Sequence, residues 1–485
     1  MVSPIKQKNK KCFARLKSVC NSRPEEKGGR DMDIESILKK QRAYFAAGET
    51  LSLDFRKQAL IRLKEAICTN EGQIFSALHE DLHKTGFEGY MTEVGMVRED
   101  LGYAIKNIGK WMRPQRARTP LAQFSAKSFM LSEPYGVALI MSPWNYPFQL
   151  SLEPLTGAIA AGNCAVLKPS AYAPATSRVI AKLLGEIFPP EYIAVVEGGR
   201  AANAELLEQK FDYIFFTGSV NVGKLVMEKA SRYLTPVSLE LGGKSPCIVD
   251  GTAKLKLAAK RLAFGKYLNA GQTCVAPDYL YVHESVREPF LQYFKEALES
   301  FYPNGDFSSM PLIVNQKHFE RLCGLMRGEN ILLGGQTDAE SRFIAPTVLG
   351  GVTWESPVMK EEIFGPILPV LTYTDKQEVI DAINAHPKPL ALYLFTTDRE
   401  TREAFLKHTS FGGGCINDTI IHLATSRMGF GGVGESGMGR YHGKFSFDTF
   451  THYKSIVSKH NFIDLPMRYL PYTEKNLNWI RMLLK

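Results

Sequence analysis

The tightest constraint on the fold lies between Gly136 and Phe216, where short unbroken apolar runs alternate with helical stripes. Gly136–Met141, Cys164–Leu167, Ile193–Val196 and Tyr213–Phe216 carry no charge. A run without polar alternation is what a strand buried on both faces requires. Between the second and third runs, Val179, Ile180, Leu183, Leu184 and Ile187 recur at helical spacing. Strands alternating with helices of that length give βαβ units and a parallel sheet. A second alternating series follows Gly243, with a helix over Val286–Phe301 and strands near Ile367–Leu371 and Ala391–Phe395. Ahead of both, Asp33 to Trp111 reads as helices, with Phe55, Ala59, Leu60, Leu63 and Ile67 marking one buried stripe. A chain of 485 residues accommodates two such α/β domains.

The net charge of +9 would point to nucleic acid if it lay on the folded body. It does not. Residues 1–30 hold nine Lys/Arg against Glu25 and Glu26, which is +7 of the +9. Nucleic-acid binding needs a basic face, and a basic tail is not one. Residues 1–31 read as a basic disordered extension ahead of a second candidate start at Met32. Their first 24 residues lack acids, so an organelle-targeting peptide stays open. The eight cysteines are scattered singly with no C-x-x-C pair, which removes zinc and thioredoxin-like readings and any expected metal. Such spacing fits reduced intracellular thiols. Pro134–Leu152 is uncharged over nearly a bilayer's length, but Pro143, Asn145, Pro147 and Gln149 interrupt it, so it reads as strand, turn and helix start. The apolar residues of Asn476–Lys485 are too few to span a membrane. A soluble, cytoplasmic protein with no integral span is expected.

The chemistry-bearing residues sit where these strands end. Asn269–Cys274, N-A-G-Q-T-C, follows a helix over Leu257–Leu268 and presents Cys274 on a loop. A lone cysteine is more often a small buried hydrophobe than a nucleophile, so it needs a base and an oxyanion donor nearby. Glu240 supplies a candidate base in L-E-L-G-G-K-S-P, at a strand end beside Gly242 and Gly243; partial burial there would raise its pKa. Asn145 lies in S-P-W-N-Y-P-F, directly after the Gly136–Met141 strand, where its amide can donate to an oxyanion. In F-T-G-S-V-N-V-G, Gly218 lets the backbone approach a phosphate and the next helix start favours negative charge. Lys168 in L-K-P-S is a cation for a ribose or phosphate. Glu362 and Phe364 in E-E-I-F-G-P can reach back to a bound nucleotide.

Taken in order, these motifs resemble the aldehyde dehydrogenase superfamily. The resemblance is carried by P-W-N (143–145), L-K-P-S (167–170), F-T-G-S (216–219), E-L-G-G-K (240–244), G-Q-T-C (271–274), E-I-F-G-P (362–366) and F-G-G-V-G-x-S-G-M-G (430–439). It covers Asp33 to the C-terminus. The I-N-D-x-x-x-H segment ending at His422 and G-M-G-x-Y-H-G-K-x-S-F-D-T-F ending at Phe450 look like the class 3 branch, which acts on fatty and aromatic aldehydes.

The resemblance implies an α/β fold with a doubly wound cofactor domain, an α/β catalytic domain and a small β oligomerisation flap. Residues 32–112 and 133–241 would form the NAD(P)-binding domain, 242–444 the catalytic domain, and 113–132 with 445–485 the flap and tail of a homodimer. Cys274 would attack an aldehyde to give a thiohemiacetal and then a thioester. Asn145 and the Cys274 N–H would hold the oxyanion, and Glu240 would activate the hydrolytic water. NAD or NADP would be held by Trp144, Lys168, Ser170, Gly218, Ser219, Gly223, Glu362 and Phe364. Two other readings stay open: a CoA-acylating relative, and a Cys-dependent acyl hydrolase without redox chemistry. One departure stands out. The glutamate that many NAD-preferring members carry three residues after the L-K-P lysine is Ala171 here.

Overall fold

The computed structural model describes residues 33–484; the basic stretch 1–31 lies outside the described residues. The helical opening forms as the spacing requires. Helix Leu53–Thr69 starts at Ser52, whose side chain accepts the Phe55 N–H, and buries Ala59, Leu60, Leu63 and Ile67 along one face. That cap satisfies one of the orphan donors every helix start leaves.

The first sheet runs in the order Gly437–Met438, Val237–Glu240, Tyr213–Thr217, Val137–Met141, Cys164–Lys168, Ile193–Val195. All pairs are parallel except that of Gly437–Met438. Chain order proceeds outward from Val137–Met141 in both directions, the doubly wound arrangement. Connections therefore leave on opposite sides, and a crevice opens beyond the carboxyl ends of Val137–Met141 and Tyr213–Thr217. The uncharged stretch after the first of these strands is a core helix, Gln149–Ala161, with every residue buried. It stops at Gly162, φ 92°, where a Cβ would run into the Arg56 guanidinium. Among the described residues, no helix is long and apolar enough to cross a membrane.

The second sheet has the order Asn330–Leu333, Thr347–Gly350, Ile367–Tyr373, Tyr279–His283, Pro246–Val249, Ala391–Phe395, Gly413–Ile416. Only its edge strand, Asn330–Leu333, is antiparallel. Its side chains alternate between two cores. Cys247, Val249, Leu280, Val282 and Tyr393 join the core shared with the first sheet. Ile248, Tyr279, Tyr281, Leu392 and Leu394 face a second core on the other side. Both faces are covered, which is why these strands read as unbroken apolar runs.

The Pro-flanked excursion after Trp111 becomes an antiparallel ribbon of Gln115–Ala117, Ala126–Pro134 and Thr451–Lys459. The 242–444 segment does not stay with the second sheet throughout. Gly437–Met438 returns to the first sheet beside Leu239 and Glu240. Gly437 is needed there, at φ 135°, because a Cβ would overlap the Leu239 carbonyl. The glycine-rich segment thus closes over the strand end that carries Glu240.

Candidate active site

Helix Leu255–Tyr267 ends ahead of three left-handed residues, Asn269 (φ 53°), Ala270 (φ 52°) and Gly271 (φ 71°). That conformation is unfavourable for L-residues by about 1–2 kcal/mol each, glycine excepted, so the surroundings must hold it. They do. Asn269 Nδ2 donates to the carbonyls of Asn145 (2.8 Å) and Gln272 (3.1 Å), and the Asn269 N–H donates to Glu88 (2.9 Å). The buried Gln272 side chain ties the loop to the Leu312 carbonyl and the Val314 N–H. A Cβ at Gly271 would overlap the Gly365 carbonyl. The loop so fixed presents Cys274 half-buried. Burial pushes its thiol up to about 12, and the Glu362 and Glu240 carboxylates add to the shift. The thiol is therefore protonated at neutral pH and needs a base to become a nucleophile.

Glu240 is 3% exposed, and neither carboxylate oxygen has a hydrogen-bond partner among the described residues. Burial alone raises its pKa well above the usual carboxylate range. An orphaned carboxyl in the core costs several kcal/mol unless a ligand or water completes it. Its charge bears on the Cys274 thiol.

The Ser142–Phe148 turn is held from behind by a pair that sequence reasoning did not single out. Lys84 and Glu93 are fully buried and 2.6 Å apart. Lys84 also donates to the Asn145 carbonyl (2.9 Å), and its ammonium sits over the Tyr146 ring at 4.0 Å. Glu93 accepts the N–H groups of Phe148 (2.9 Å) and Gln149 (3.1 Å). Asn145, fixed in this way, donates one Nδ2 hydrogen to the Gln272 carbonyl at 3.0 Å. Its second amide hydrogen remains to donate. Tyr146 and Thr273 join the same turn to the residue before Cys274, hydroxyl to hydroxyl at 2.6 Å.

The crevice between the two central strands suits a nucleotide. Ser142 and Thr217, at the carboxyl ends of adjacent strands, each bury a hydroxyl with no partner among the described residues. Ser219 opens helix Val220–Ser231 and makes no side-chain cap, so the helix start is left to an anion. Gly218 is required by its own neighbour: a Cβ would sit 2.5 Å from the Phe216 ring. Gly223 lies within the helix, where a Cβ would meet Leu241 at 2.6 Å, so its place is set by helix–sheet packing. Lys168 is buried at its strand end, donating to the Pro169 carbonyl (2.7 Å). Burial lowers its ammonium to about 8, against the pull of Glu197. Ser170 accepts the Tyr172 N–H (3.2 Å), which leaves its hydroxyl hydrogen available. Ala171 is exposed.

Across the site, the Glu362 carboxylate lies against Gly242, where a Cβ would collide with it. Burial raises it to about 8, Asp278 adding and the Gly243 N–H opposing. Lys244 fixes this loop by bonding Asp278 and the carbonyls of Val358 and Glu361. Phe364 (φ 50°) meets Trp144 edge-on at 5.4 Å, and His318 approaches the same indole at 5.5 Å. Among the described residues, no cluster of His, Cys, Asp and Glu is arranged to hold a metal.

The charges of Glu362 and Glu240 thus both bear on Cys274, with Asn145 bonded to the same loop. Lys84, Glu93, Asn269 and Gln272 were missed because their work is long-range. Lys84 bonds a carbonyl 61 positions away, and nothing local marks it in a charged helical stretch.

The model of the aldehyde dehydrogenase family matches residues 25–456. The chain is 48% identical over 446 residues to the 4,4'-diaponeurosporen-aldehyde dehydrogenase of Staphylococcus aureus (strain NCTC 8325 / PS 47), covering 91% of this chain and 97% of the relative. It is 45% identical to aldehyde dehydrogenase family 3 member B1 of Rattus norvegicus, covering 92% and 96%. The solved substrate-bound state of Staphylococcus aureus AldH superposes with a TM-score of 0.92 at 47% identity, covering 93% of this chain and 99% of that one.

Proposed function

From the premise that the chain belongs to the aldehyde dehydrogenase family, we propose that it converts apolar aldehydes to carboxylic acids with Cys274 as nucleophile and Glu240 as base. Membership makes it an aldehyde-oxidising oxidoreductase that uses NAD or NADP. The proposal concerns the residues, the substrate and the setting.

The carrying observation is Glu240, buried with both oxygens unpartnered among the described residues and its charge bearing on the Cys274 thiol. In the first half-reaction the thiol sulfur bonds the aldehyde carbon, its proton passing to a nearby carboxylate. The oxyanion so formed is held by Asn145 Nδ2 and the Cys274 N–H, donors fixed before the substrate arrives. When bound, NAD or NADP supplies the two-electron acceptor that turns the adduct into a thioester. Ser142, Thr217, Ser219 and Lys168 would hold its phosphates and ribose, and Trp144, Phe364 and Glu362 its other end. In the second half-reaction Glu240 takes a proton from water, the water oxygen bonds the acyl carbon, and the C–S bond breaks to return the thiolate. Transfer of the acyl group to CoA would leave this carboxylate without a task.

Medium- or long-chain aliphatic and aromatic aldehydes are the proposed substrates. The relative named for 4,4'-diaponeurosporen-aldehyde supports an apolar class, as does the Trp144–His318–Phe364 cluster. A homodimer built on the ribbon is supported by Leu121, Phe124 and Val457, which it leaves exposed. Free, scattered thiols support a cytoplasmic setting.

The test is Glu240→Gln followed by rapid mixing at the absorbance of the reduced cofactor. A full burst followed by turnover slowed at least tenfold is expected. An unchanged steady state with no burst would assign the water to another base.

A further inference from the structure

Behind Glu240 the protein buries a second group of titratable side chains for which the reaction above has no use. Asp100, Glu153, Tyr441 and His442 are each 3% exposed or less. The Tyr441 and His442 rings lie 4.2 Å apart. His442 Nε2 is 3.3 Å from Glu153 Oε2, at ion-pair distance though not aligned as a hydrogen bond. The next N–H, of Gly443, donates to Asp100 Oδ1 at 2.9 Å. Adjacent to Asp100 is Glu99, an exposed residue that accepts the Ser426 hydroxyl. At the inner end, Tyr441 pairs through its backbone with Phe430. The following residue, Gly431, lies so close to Glu240 that a Cβ would be 3.2 Å from Oε1. The charges of Glu153, Glu240, Cys274 and Asp100 all bear on the Tyr441 phenol. The group thus has the buried base near one end and exposed Glu99 at the other.

This arrangement is expensive to keep. Apolar residues of similar volume would fill the space without desolvating charge. His442 also adopts φ 84°, a conformation held against its own preference.

We propose that Tyr441, His442, Glu153 and Asp100 form a proton path that carries the proton taken up by Glu240 to Glu99 at the surface. The inference rests on Glu240 being the base that activates water. Each hydrolysis leaves one proton on Glu240, and the next cycle cannot begin until it has gone. Tyr441 accepts that proton as its own O–H passes to the His442–Glu153 pair, with water bridging gaps longer than a hydrogen bond. Asp100 passes it on to Glu99; one proton leaves per turnover and no electron moves.

The protonation states suit the task. Burial raises Asp100 to about 7, with the Glu153 charge adding and His442 opposing. Burial lowers the His442 imidazole, but Glu153, Asp100 and Glu99 more than offset it and leave it raised. His422, on the neighbouring glycine-rich segment, is lowered by burial to about 4, with the His442 charge adding. It stays neutral and does not compete for the proton.

The test compares burst and steady state in Asp100→Asn, Glu153→Gln and Tyr441→Phe, with Glu240→Gln alongside. Bursts of wild-type rate are expected, with turnover down about tenfold, a larger solvent deuterium isotope effect, and partial rescue by imidazole. Wild-type turnover in the path variants would overturn the path, as would a burst that falls in step with turnover or an absence of rescue. Tyr441→Phe keeps every ring contact and decides the matter should the carboxyl variants not fold. Loss of the burst-then-slow phase in Glu240→Gln would instead remove the base assignment on which the path rests.

Discussion

At the scale of single residues, the site depends on groups kept in the protonation state they do not prefer in water. Cys274 is held as a thiol by burial and by two neighbouring carboxylates; the same carboxylates are what can take its proton. Cys274→Ala should abolish aldehyde oxidation while cofactor affinity, measured by fluorescence titration, stays within about threefold. Residual turnover would require a second nucleophile. Cofactor choice is also a one-residue matter. Ala171 neither bonds a ribose hydroxyl nor repels a 2′-phosphate, and one lost hydrogen bond to NAD costs about 0.5–1.5 kcal/mol, or roughly three- to tenfold in affinity. Expected kcat/KM values for NAD and NADP lie within about tenfold of each other, and Ala171→Glu should shift the ratio about tenfold towards NAD. A roughly hundredfold preference for NAD in the unmodified protein, about 2.7 kcal/mol, would mean that Glu197 makes the ribose contact in its place.

At the scale of elements, the two loops that meet at the site are positioned from the N-terminal helical region. The Lys84–Glu93 pair joins the N-terminal helices to the Asn145 turn, and Asn269 and Gln272 bond that turn to the Cys274 loop. Removing one member leaves the other as an uncompensated buried charge, a loss of about 3–5 kcal/mol. Lys84→Met should therefore lower denaturant stability by about that amount and cut kcat more than KM, because the oxyanion donor drifts while the cofactor crevice stands. The paired change Lys84→Met with Glu93→Gln should recover part of the stability but not kcat. Equal losses in kcat and in cofactor affinity would place the pair outside the positioning of Asn145.

Across the whole molecule, several carboxyl groups stand raised on or behind one crevice, among them Glu240, Glu362 and Asp100. A raised pKa moves the ionised, active form of a base to higher pH. Turnover should therefore climb from pH 6 to about 9, by up to tenfold per unit below the governing pKa. A pH–kcat profile with an acidic optimum would contradict a buried carboxylate base. In Glu240→Gln the steady-state climb should flatten, because the ionising group is gone.

Much of this was written locally. The unbroken apolar runs at Val137–Met141 and Tyr213–Thr217 announce strands covered on both sides, and the motifs put Asn145 and Glu240 after strand ends where a parallel sheet opens, with Cys274 on a loop after a helix. Ala171 is equally legible, since its meaning depends only on distance along the chain from Lys168. What the tertiary structure alone decided is which distant groups meet. Lys84 and Glu93, in the stretch that reads as helices, become a buried pair because the core helix Gln149–Ala161 packs across them. Gly437–Met438 crosses from one sheet's segment to the other because only glycine fits against the Leu239 carbonyl. Periodicity records how much of a side chain is covered. It does not record by what, because a buried ammonium and an exposed one share the same helical spacing, and only long-range packing supplies the partner that makes burial affordable.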